Sequence, residues 1–114
     1  MHKTIIGLTT RVVIFGKKGK KEVIARVDTG ATKSSIDKAL AKELDLGPEI
    51  KHTKIKSAHG VRYRPIVTAE IMIAGDMRHA EFTLAEREHM KYRILIGQNI
   101  LKKGFLIDPS KEAE

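Results

Sequence analysis

The chain has 114 residues, a net charge of +8 and no cysteine. Its length suits one domain over residues 1–114 and leaves no room for two. Without cysteine, disulfides, thiolate zinc sites and cysteine nucleophiles are excluded, and the composition fits a cytoplasmic protein. The longest apolar runs fall far short of the roughly 20 residues that cross a membrane, so we expect no membrane span and no signal peptide.

The excess of basic residues, 22 Lys and Arg against 14 Asp and Glu, predicts attraction to anionic partners such as acidic peptides or nucleic acid. A basic surface also serves solubility alone. Nucleic acid is the less supported partner, because the chain has only two Tyr, three Phe and no Trp with which to stack bases, and a core claims most of these rings.

Apolar alternation and turn residues predict a chain made mostly of short strands, which is typical of a small closed β-structure. The predicted strands cover residues 3–8, 10–15, 22–27, 50–57, 61–73, 77–84, 92–96 and 105–107. Short helices are predicted over residues 37–44 and 97–103. In the long strand 61–73, one alternate set is predicted to face the interior: Val67, Ala69, Ile71 and Ile73.

The sequence Asp28-Thr29-Gly30-Ala31 directly follows the predicted strand 22–27, and a second apolar run ends at Gly97. An aspartic acid in such a position can simply cap a turn between two strands. Aspartic proteases, however, place a carboxylate on a loop just past a strand and brace it with a strand that ends in glycine. Their chemistry needs two carboxylates sharing a proton, because like charges about 3 Å apart cannot both ionise. Since the tetrad occurs once, we expect a second chain to supply the partner.

The order of these segments resembles the retropepsin fold, the half-sized aspartic peptidase of retroviruses, over residues 10–107. A closer resemblance is to a prokaryotic retropepsin-like family usually labelled ATP-dependent zinc protease, whose members often accompany ATP-grasp glutamate ligases. The residues that carry it are Asp28-Thr29-Gly30-Ala31, Ser34-Ser35, Gly60, Arg64-Pro65, Thr83-Leu84, Arg87, Met90, Leu95-Ile96-Gly97 and Ile107-Asp108-Pro109.

This resemblance implies an all-β fold, a small closed retropepsin-like (acid protease) barrel with one or two short helices, in a single domain over residues 1–114. It implies a homodimeric aspartic endopeptidase that hydrolyses peptide bonds with a shared Asp dyad and an activated water. The basic charge and the association with glutamate ligases both favour acidic or glutamate-rich tails as substrates.

The expected catalytic residues are Asp28, Thr29 and Gly30. One Asp28 accepts a proton from the bound water, while the other polarises the scissile carbonyl and then protonates the leaving nitrogen. Thr29 is expected to hydrogen-bond to its symmetry mate, and Gly30 to permit the tight turn and close approach of substrate. Ala31 lacks the hydroxyl with which a serine would stabilise the ionised pair, so activity is expected at less acidic pH.

The expected substrate-binding residues are Ala31, His59, Gly60 and Arg64. From the strand after the flap-like turn, Arg64 is a candidate to bind a substrate carboxylate with both guanidinium arms. A solvated charge on an exposed strand is an equally good interpretation of Arg64.

One departure from the family pattern is Gln98, which stands where members commonly have arginine. In retroviral enzymes that arginine pairs with an acid shortly after the tetrad. Because Thr32 and Lys33 offer no acid here, we expect neutral contacts to replace the ion pair. Ser34 and Ser35 are predicted to cap the first helix, since no Lys or His is placed to activate them as nucleophiles.

Neither a metal nor another cofactor is expected, despite the family label. The histidines form no His-Glu-x-x-His pattern, and Glu86, Glu88 and His89 are interpreted as surface charge. Two rival functions stay open: a non-catalytic module of the same fold that binds an anionic peptide or RNA, and a metallopeptidase. Salt-dependent binding without hydrolysis would indicate the first. Bound zinc and sensitivity to chelators would indicate the second.

Overall fold

The computed structural model describes residues 2–58 and 60–113. Within those ranges the strands are β1 (Thr4–Ile6), β2 (Thr9–Gly16), β3 (Gly19–Val27), β4 (Ser34–Asp37), β5 (Glu49–Ser57), β6 (Gly60–Ile73), β7 (Asp76–Ala85), β8 (Ile94–Ile96) and β9 (Phe105–Ile107). The helices are α1 (Lys38–Leu44) and α2 (Gln98–Leu101). Neither of these helices is long and apolar enough to cross a membrane.

The main sheet closes on itself as a barrel. Its strands run in the order β2-β3-β8-β4-β7-β6, and the pairing of β2 with β6 completes the ring. Strand β5 pairs only with β6 and lies at the edge of this sheet. The short strands β1 and β9 form a separate parallel pair. The prediction of a small closed barrel with two short helices is therefore confirmed.

The barrel interior is filled by the alternate apolar side chains of its strands. The inward set predicted on β6, which is Val67, Ala69, Ile71 and Ile73, is buried throughout. Phe82 on the neighbouring β7 is fully buried beside them. The two strands are joined at Ala74 and Gly75, both with positive φ, the backbone shape that matches the twist of a two-residue hairpin.

Strand β5 and the first part of β6 extend beyond the barrel. Strand β6 pairs with β7 only from Ile66 onward, whereas its pairing with β5 begins at Gly60. We call the projecting part, residues 49–58 and 60–65, the arm. It corresponds to the predicted flap-like hairpin, and it carries an exposed row of basic side chains: Lys51, Lys54, Lys56, Arg62 and Arg64.

Strand β4 was not predicted, and the role assigned to its serines was wrong. Ser34 and Ser35 are buried in β4, which pairs with β7 on one side and β8 on the other. The residue that caps α1 is Asp37, whose carboxylate accepts a hydrogen bond from the Leu40 amide at 3.3 Å. A polar segment forms an interior strand here because its hydroxyl and carboxylate groups find buried partners.

Asp37 connects three segments of the chain. Its side chain is nearly fully buried and accepts hydrogen bonds from the Arg87 amide and from Arg93 Nη2, each at 2.8 Å. Burial by itself would raise the pKa of this carboxyl group. The hydrogen bonds from Arg93, Arg87 and Leu40 outweigh burial, and the pKa is held below its ordinary value.

We expect Asp37→Asn to lower the free energy of unfolding at pH 7 by about 1–3 kcal/mol, because an amide satisfies these donors poorly. A folded-state pKa below the unfolded one means that the carboxylate stabilises the protein above about pH 4. That stabilisation disappears as the pH falls through the folded pKa. Urea unfolding from pH 7 to pH 3 should therefore show a smaller loss of stability for the variant than for the parent.

The matched control is Glu43→Gln, which removes an exposed carboxylate paired with Lys21 at 3.3 Å. Exposed pairs of this kind contribute about 0–1 kcal/mol. Equal effects of the two substitutions at pH 7 would show that the Asp37 network does not support the barrel.

Candidate active site

The loop after β3 holds the carboxylate of Asp28 in a defined position. Strand β3 pairs with β8, and the Asp28 amide donates to the carbonyl of Ile96 at 2.9 Å. The loop then folds back, so that the amide of Gly30 donates to Asp28 Oδ1 at 3.0 Å and the amide of Ala31 to the Asp28 carbonyl at 3.2 Å. The carboxylate is thus oriented by its own turn and stays partly exposed.

Neutral hydrogen bonds join this loop to the start of α2. Gln98 donates its side-chain amide to the Thr29 carbonyl at 2.8 Å, and its backbone amide to the Ala31 carbonyl at 2.8 Å. The Asn99 amide donates to the Thr32 carbonyl at 3.2 Å. The expectation that neutral contacts replace an ion pair at Gln98 is confirmed.

Gly97 lies where two backbones nearly touch. A Cβ placed on Gly97 would meet the Lys33 carbonyl oxygen at 2.2 Å, which no side chain tolerates. The buried Ser34 fastens the same crossing. Its hydroxyl accepts from the Gly97 amide at 2.9 Å and donates to Asn99 Oδ1 at 2.7 Å. Ser34 is therefore a positioning residue for the loop that carries Asp28.

A cleft of about 570 Å³ opens between this loop and the arm. Among the described residues, its walls contain five basic side chains and no carboxylate. The lining residues are Gly30, Ala31, Thr32, Lys33, Ser35, Thr53, Lys54, Lys56, Arg64, Thr83, Arg87 and Leu95. Such a concave, single-sign surface concentrates anionic ligands.

The cleft brings together some of the residues predicted to bind substrate. Ala31 and Arg64 line it from opposite sides, together with Gly30 of the predicted catalytic set. Gly60 lies at the tip of the arm and is not among the lining residues. His59 lies outside the described residues.

The cleft also contains cations to which the sequence pattern assigned no role, namely Lys33, Lys54, Lys56 and Arg87. The spacing of Lys54 and Lys56 could have predicted that these two side chains act together, because residues two apart share a face of an extended strand. Arg87, which follows β7 in a segment interpreted as a charged loop, was marked only by the family resemblance, which gave it no role.

Arg87 is the buried member of this group. It is only 9% exposed, and its Nε donates to the Tyr92 carbonyl at 3.0 Å. Burial lowers the pKa of its guanidinium, and the nearby positive charge of Arg26 acts in the same direction. The group nevertheless stays charged, because free arginine ionises far above neutral pH.

The acidic segment after β7 forms a separate depression of about 390 Å³ beside the start of α1. Glu86, Glu88 and His89 are exposed there, and Glu86 lies 4.0 Å from Lys38. Across residues 2–58 and 60–113, no three His, Asp or Glu side chains are grouped closely enough to hold a metal ion.

Comparison with protein families matches residues 40–113, more than half of the chain, to the RimB-like family, described as "Retropepsin-like aspartic endopeptidase RimB". Two curated relatives are both named "Probable alpha-L-glutamate ligase". That of Shewanella halifaxensis is 28% identical and that of Shewanella pealeana 27%, each over 96% of this chain. The chain spans 29% of the length of either relative.

Solved structures at 17–22% identity show the same fold. A Legionella pneumophila protein of unknown function, Lpg0085, has a TM-score of 0.67 over 96% of both chains. The protease of Simian Foamy Virus (mac) has a TM-score of 0.64 over 82% of this chain and 91% of its own. The EIAV protease with inhibitor HBY-793 has a TM-score of 0.62 over 82% and 84%.

We expect Gly97→Ala to destabilise the protein by about 3 kcal/mol, because the added methyl must push against backbone rather than a flexible side chain. Gly30→Ala is the matched control. Its Cβ would meet only Asp28 Oδ1, at an ordinary 3.4 Å. Thermal unfolding of the two variants measures the difference. Similar melting temperatures would show that the loop and α2 separate readily.

Proposed function

Because the chain belongs to the RimB-like family of retropepsin-like aspartic endopeptidases, we propose that it hydrolyses peptide bonds as a homodimer, with one Asp28 carboxylate from each copy. The observation that carries this proposal is the placement of Asp28. Its carboxylate is partly exposed, fixed by its own turn, and only two residues from the wall of a basic cleft. A carboxylate with these properties suits acid–base work on a bound water.

A second copy is needed because one chain provides half of the chemistry. The Asp-Thr-Gly sequence occurs once, and the cleft walls contribute no other carboxylate. When two Asp28 side chains meet across a two-fold axis, they share one proton. The ionised member takes a proton from water, and the protonated member polarises the carbonyl and later protonates the leaving nitrogen.

The loop contacts support such a meeting of two Asp28 side chains. Thr29 is exposed, and its carbonyl accepts a hydrogen bond from Gln98. Its hydroxyl has no hydrogen-bond partner among the described residues, so it is available to bond to the Thr29 of a second copy. Gly30 presents backbone without a side chain at the cleft wall, which lets a peptide approach closely. These are the roles we assign to the two residues.

We propose that the substrate is an acidic or glutamate-rich peptide segment. Five basic side chains face the cleft without a carboxylate among its lining residues, which favours an anionic chain over a neutral one. The names of the curated relatives point the same way, since a glutamate ligase produces bonds of the kind such a hydrolase would cut. Arg64 contributes from the arm.

The basic arm also fits a second function, a module that binds an anionic peptide or RNA without cutting it. Such binding would weaken steeply with salt, because each neutralised phosphate or carboxylate releases counterions. Absence of product in the presence of tight, salt-sensitive binding would support this module over the hydrolase.

We expect Asp28→Asn to abolish peptide hydrolysis, because an amide cannot take the proton from water. The matched control is Asp45→Asn, which removes an exposed carboxylate from the left-handed residue after α1, a conformation that asparagine tolerates. Product formation from a poly-glutamate peptide is measured by mass spectrometry for both variants. Their melting temperatures are compared with that of wild type, so that a loss of activity is not mistaken for a loss of folding. Full activity in Asp28→Asn would exclude the aspartic mechanism.

A mixing experiment tests the shared site. When inactive Asp28→Asn protein is added to wild type at a constant total concentration, activity should fall with the square of the wild-type fraction, since mixed dimers have an incomplete dyad. Sedimentation velocity measures the dimer fraction in the same samples. A linear fall, or full activity in samples that sediment as monomer, would exclude the dimer.

A further inference from the structure

Arg87 is fixed in the cleft from two sides. Its backbone amide donates to Asp37 Oδ1 at 2.8 Å, and its side-chain Nε donates to the Tyr92 carbonyl at 3.0 Å. These contacts place Arg87, a residue that is only 9% exposed, in the wall of the cleft, whereas Arg64 on the arm is exposed. Arg87 therefore loses little conformational freedom when it binds a ligand.

The guanidinium of Arg87 forms no ion pair within the described part of the chain. The nearby carboxylate of Asp37 pairs with Arg93 instead. The two terminal nitrogens, Nη1 and Nη2, have no hydrogen-bond partner among residues 2–58 and 60–113. Every buried side-chain nitrogen in those ranges has a hydrogen-bond partner. Because Nη1 and Nη2 have none, they are not buried and are open to the cleft that Arg87 lines.

A buried charge without a counterion is costly, and a folded protein normally pairs it. Among the neighbouring charges, Arg26 and Arg64 disfavour the charged form of Arg87, whereas the carboxylates of Asp37 and Asp28 favour it. A ligand carboxylate would add the direct ion pair that Arg87 lacks. Two parallel N–H donors on a rigid fork match the two oxygens of a carboxylate better than a lysine ammonium does.

We infer that Arg87 is a specificity-determining residue that binds the side-chain carboxylate of an acidic residue in the peptide substrate. Ser35, Thr83 and Leu95 line the same cleft as Arg87. This inference rests on the proposed function and deepens it. It assigns the selection of acidic residues to Arg87, a largely buried residue in the cleft wall, rather than to the exposed lysines of the arm.

The first test compares peptides that differ by one Glu→Gln replacement at each position around the scissile bond. In wild type we expect one position at which the change lowers kcat/KM strongly. In Arg87→Gln the ratio of kcat/KM for the Glu and Gln peptides should fall about ten-fold or more, the loss typical of a charge-assisted contact. Arg87→Lys should retain part of the ratio. Arg64→Gln, which removes an exposed charge, should change it less.

A purely structural role for Arg87 would lower kcat/KM for both peptides equally and leave the ratio unchanged, which would overturn the inference. Peptides with an amidated C-terminus form a second arm. If the Glu selectivity of wild type disappears on amidation, the carboxylate bound is the chain terminus rather than a side chain, and the inference fails in the stated form.

A second measurement follows binding in protein that retains Arg87, and it uses a substitution of Arg87 only to assign the signal. The Nε–H of Arg87 is hydrogen-bonded and buried, so it should give a resolved arginine side-chain NMR signal in Asp28→Asn protein, assigned by its loss in Arg87→Lys. Titration with the Glu peptide should shift this signal, and the matched Gln peptide should not. Equal shifts, or none with saturating Glu peptide, would overturn the inference.

Failure of the inference about Arg87 and failure of the proposed function give different results. If wild type cleaves peptides but the ratio does not depend on Arg87, the inference fails and the proposed function stands. If wild type cleaves nothing, the proposed hydrolase fails. A selective shift of the Arg87 signal would then still show that it binds an acidic side chain.

Discussion

The close passage of two backbones at Gly97 is the constraint on which the site depends. The loop that carries Asp28 cannot be placed by its own hydrogen bonds alone, because it leaves the barrel after Val27 and must return to form β4. The contact with Gly97 fixes where it returns, and only a residue without a side chain permits that distance. Ser34 then holds both segments through one hydroxyl. Barrel closure, loop position and the start of α2 are thus parts of one arrangement.

Charge is distributed unevenly between the interior and the cleft. Inside, Asp37 is satisfied by an arginine and two backbone amides, so its ionised form supports the fold. At the cleft, five basic side chains line the walls, and Arg87 has no ion-pair partner in the described chain. Repulsion of that kind reduces stability, and active sites commonly retain it because a ligand relieves it. A buried, paired carboxylate therefore lies in the framework, whereas cations without an ion pair in the described residues line the cleft.

The sequence was informative where the signal is local. Alternation along β6 identified its inward face, and the strand before Asp28 and the run before Gly97 marked the two segments that meet in the site. Strand β4 was not predicted because its burial depends on β7 and β8, which are about 50 and about 60 residues away along the chain, and because Ser34 and Asp37 are polar. The place of Arg87 in the cleft could not be predicted for a similar reason, although the family resemblance includes this residue. Its neighbours Glu86 and Glu88 are exposed, and its position depends on the distant Asp37 as well as on the nearby Tyr92.

The edge position of β5 has a consequence for the chain in solution. An edge strand presents unpaired backbone groups that invite pairing with another molecule, and charged side chains along it discourage such pairing. Strand β5 has β6 on one side only, and it carries Lys51, Lys54 and Lys56. The lysines of the arm therefore also discourage the β5 strands of two copies from pairing edge to edge. Replacing these lysines with neutral residues, in order to broaden the range of peptides bound, would leave a long edge strand without charge and lower solubility. Peptide recognition and solubility are therefore coupled at β5.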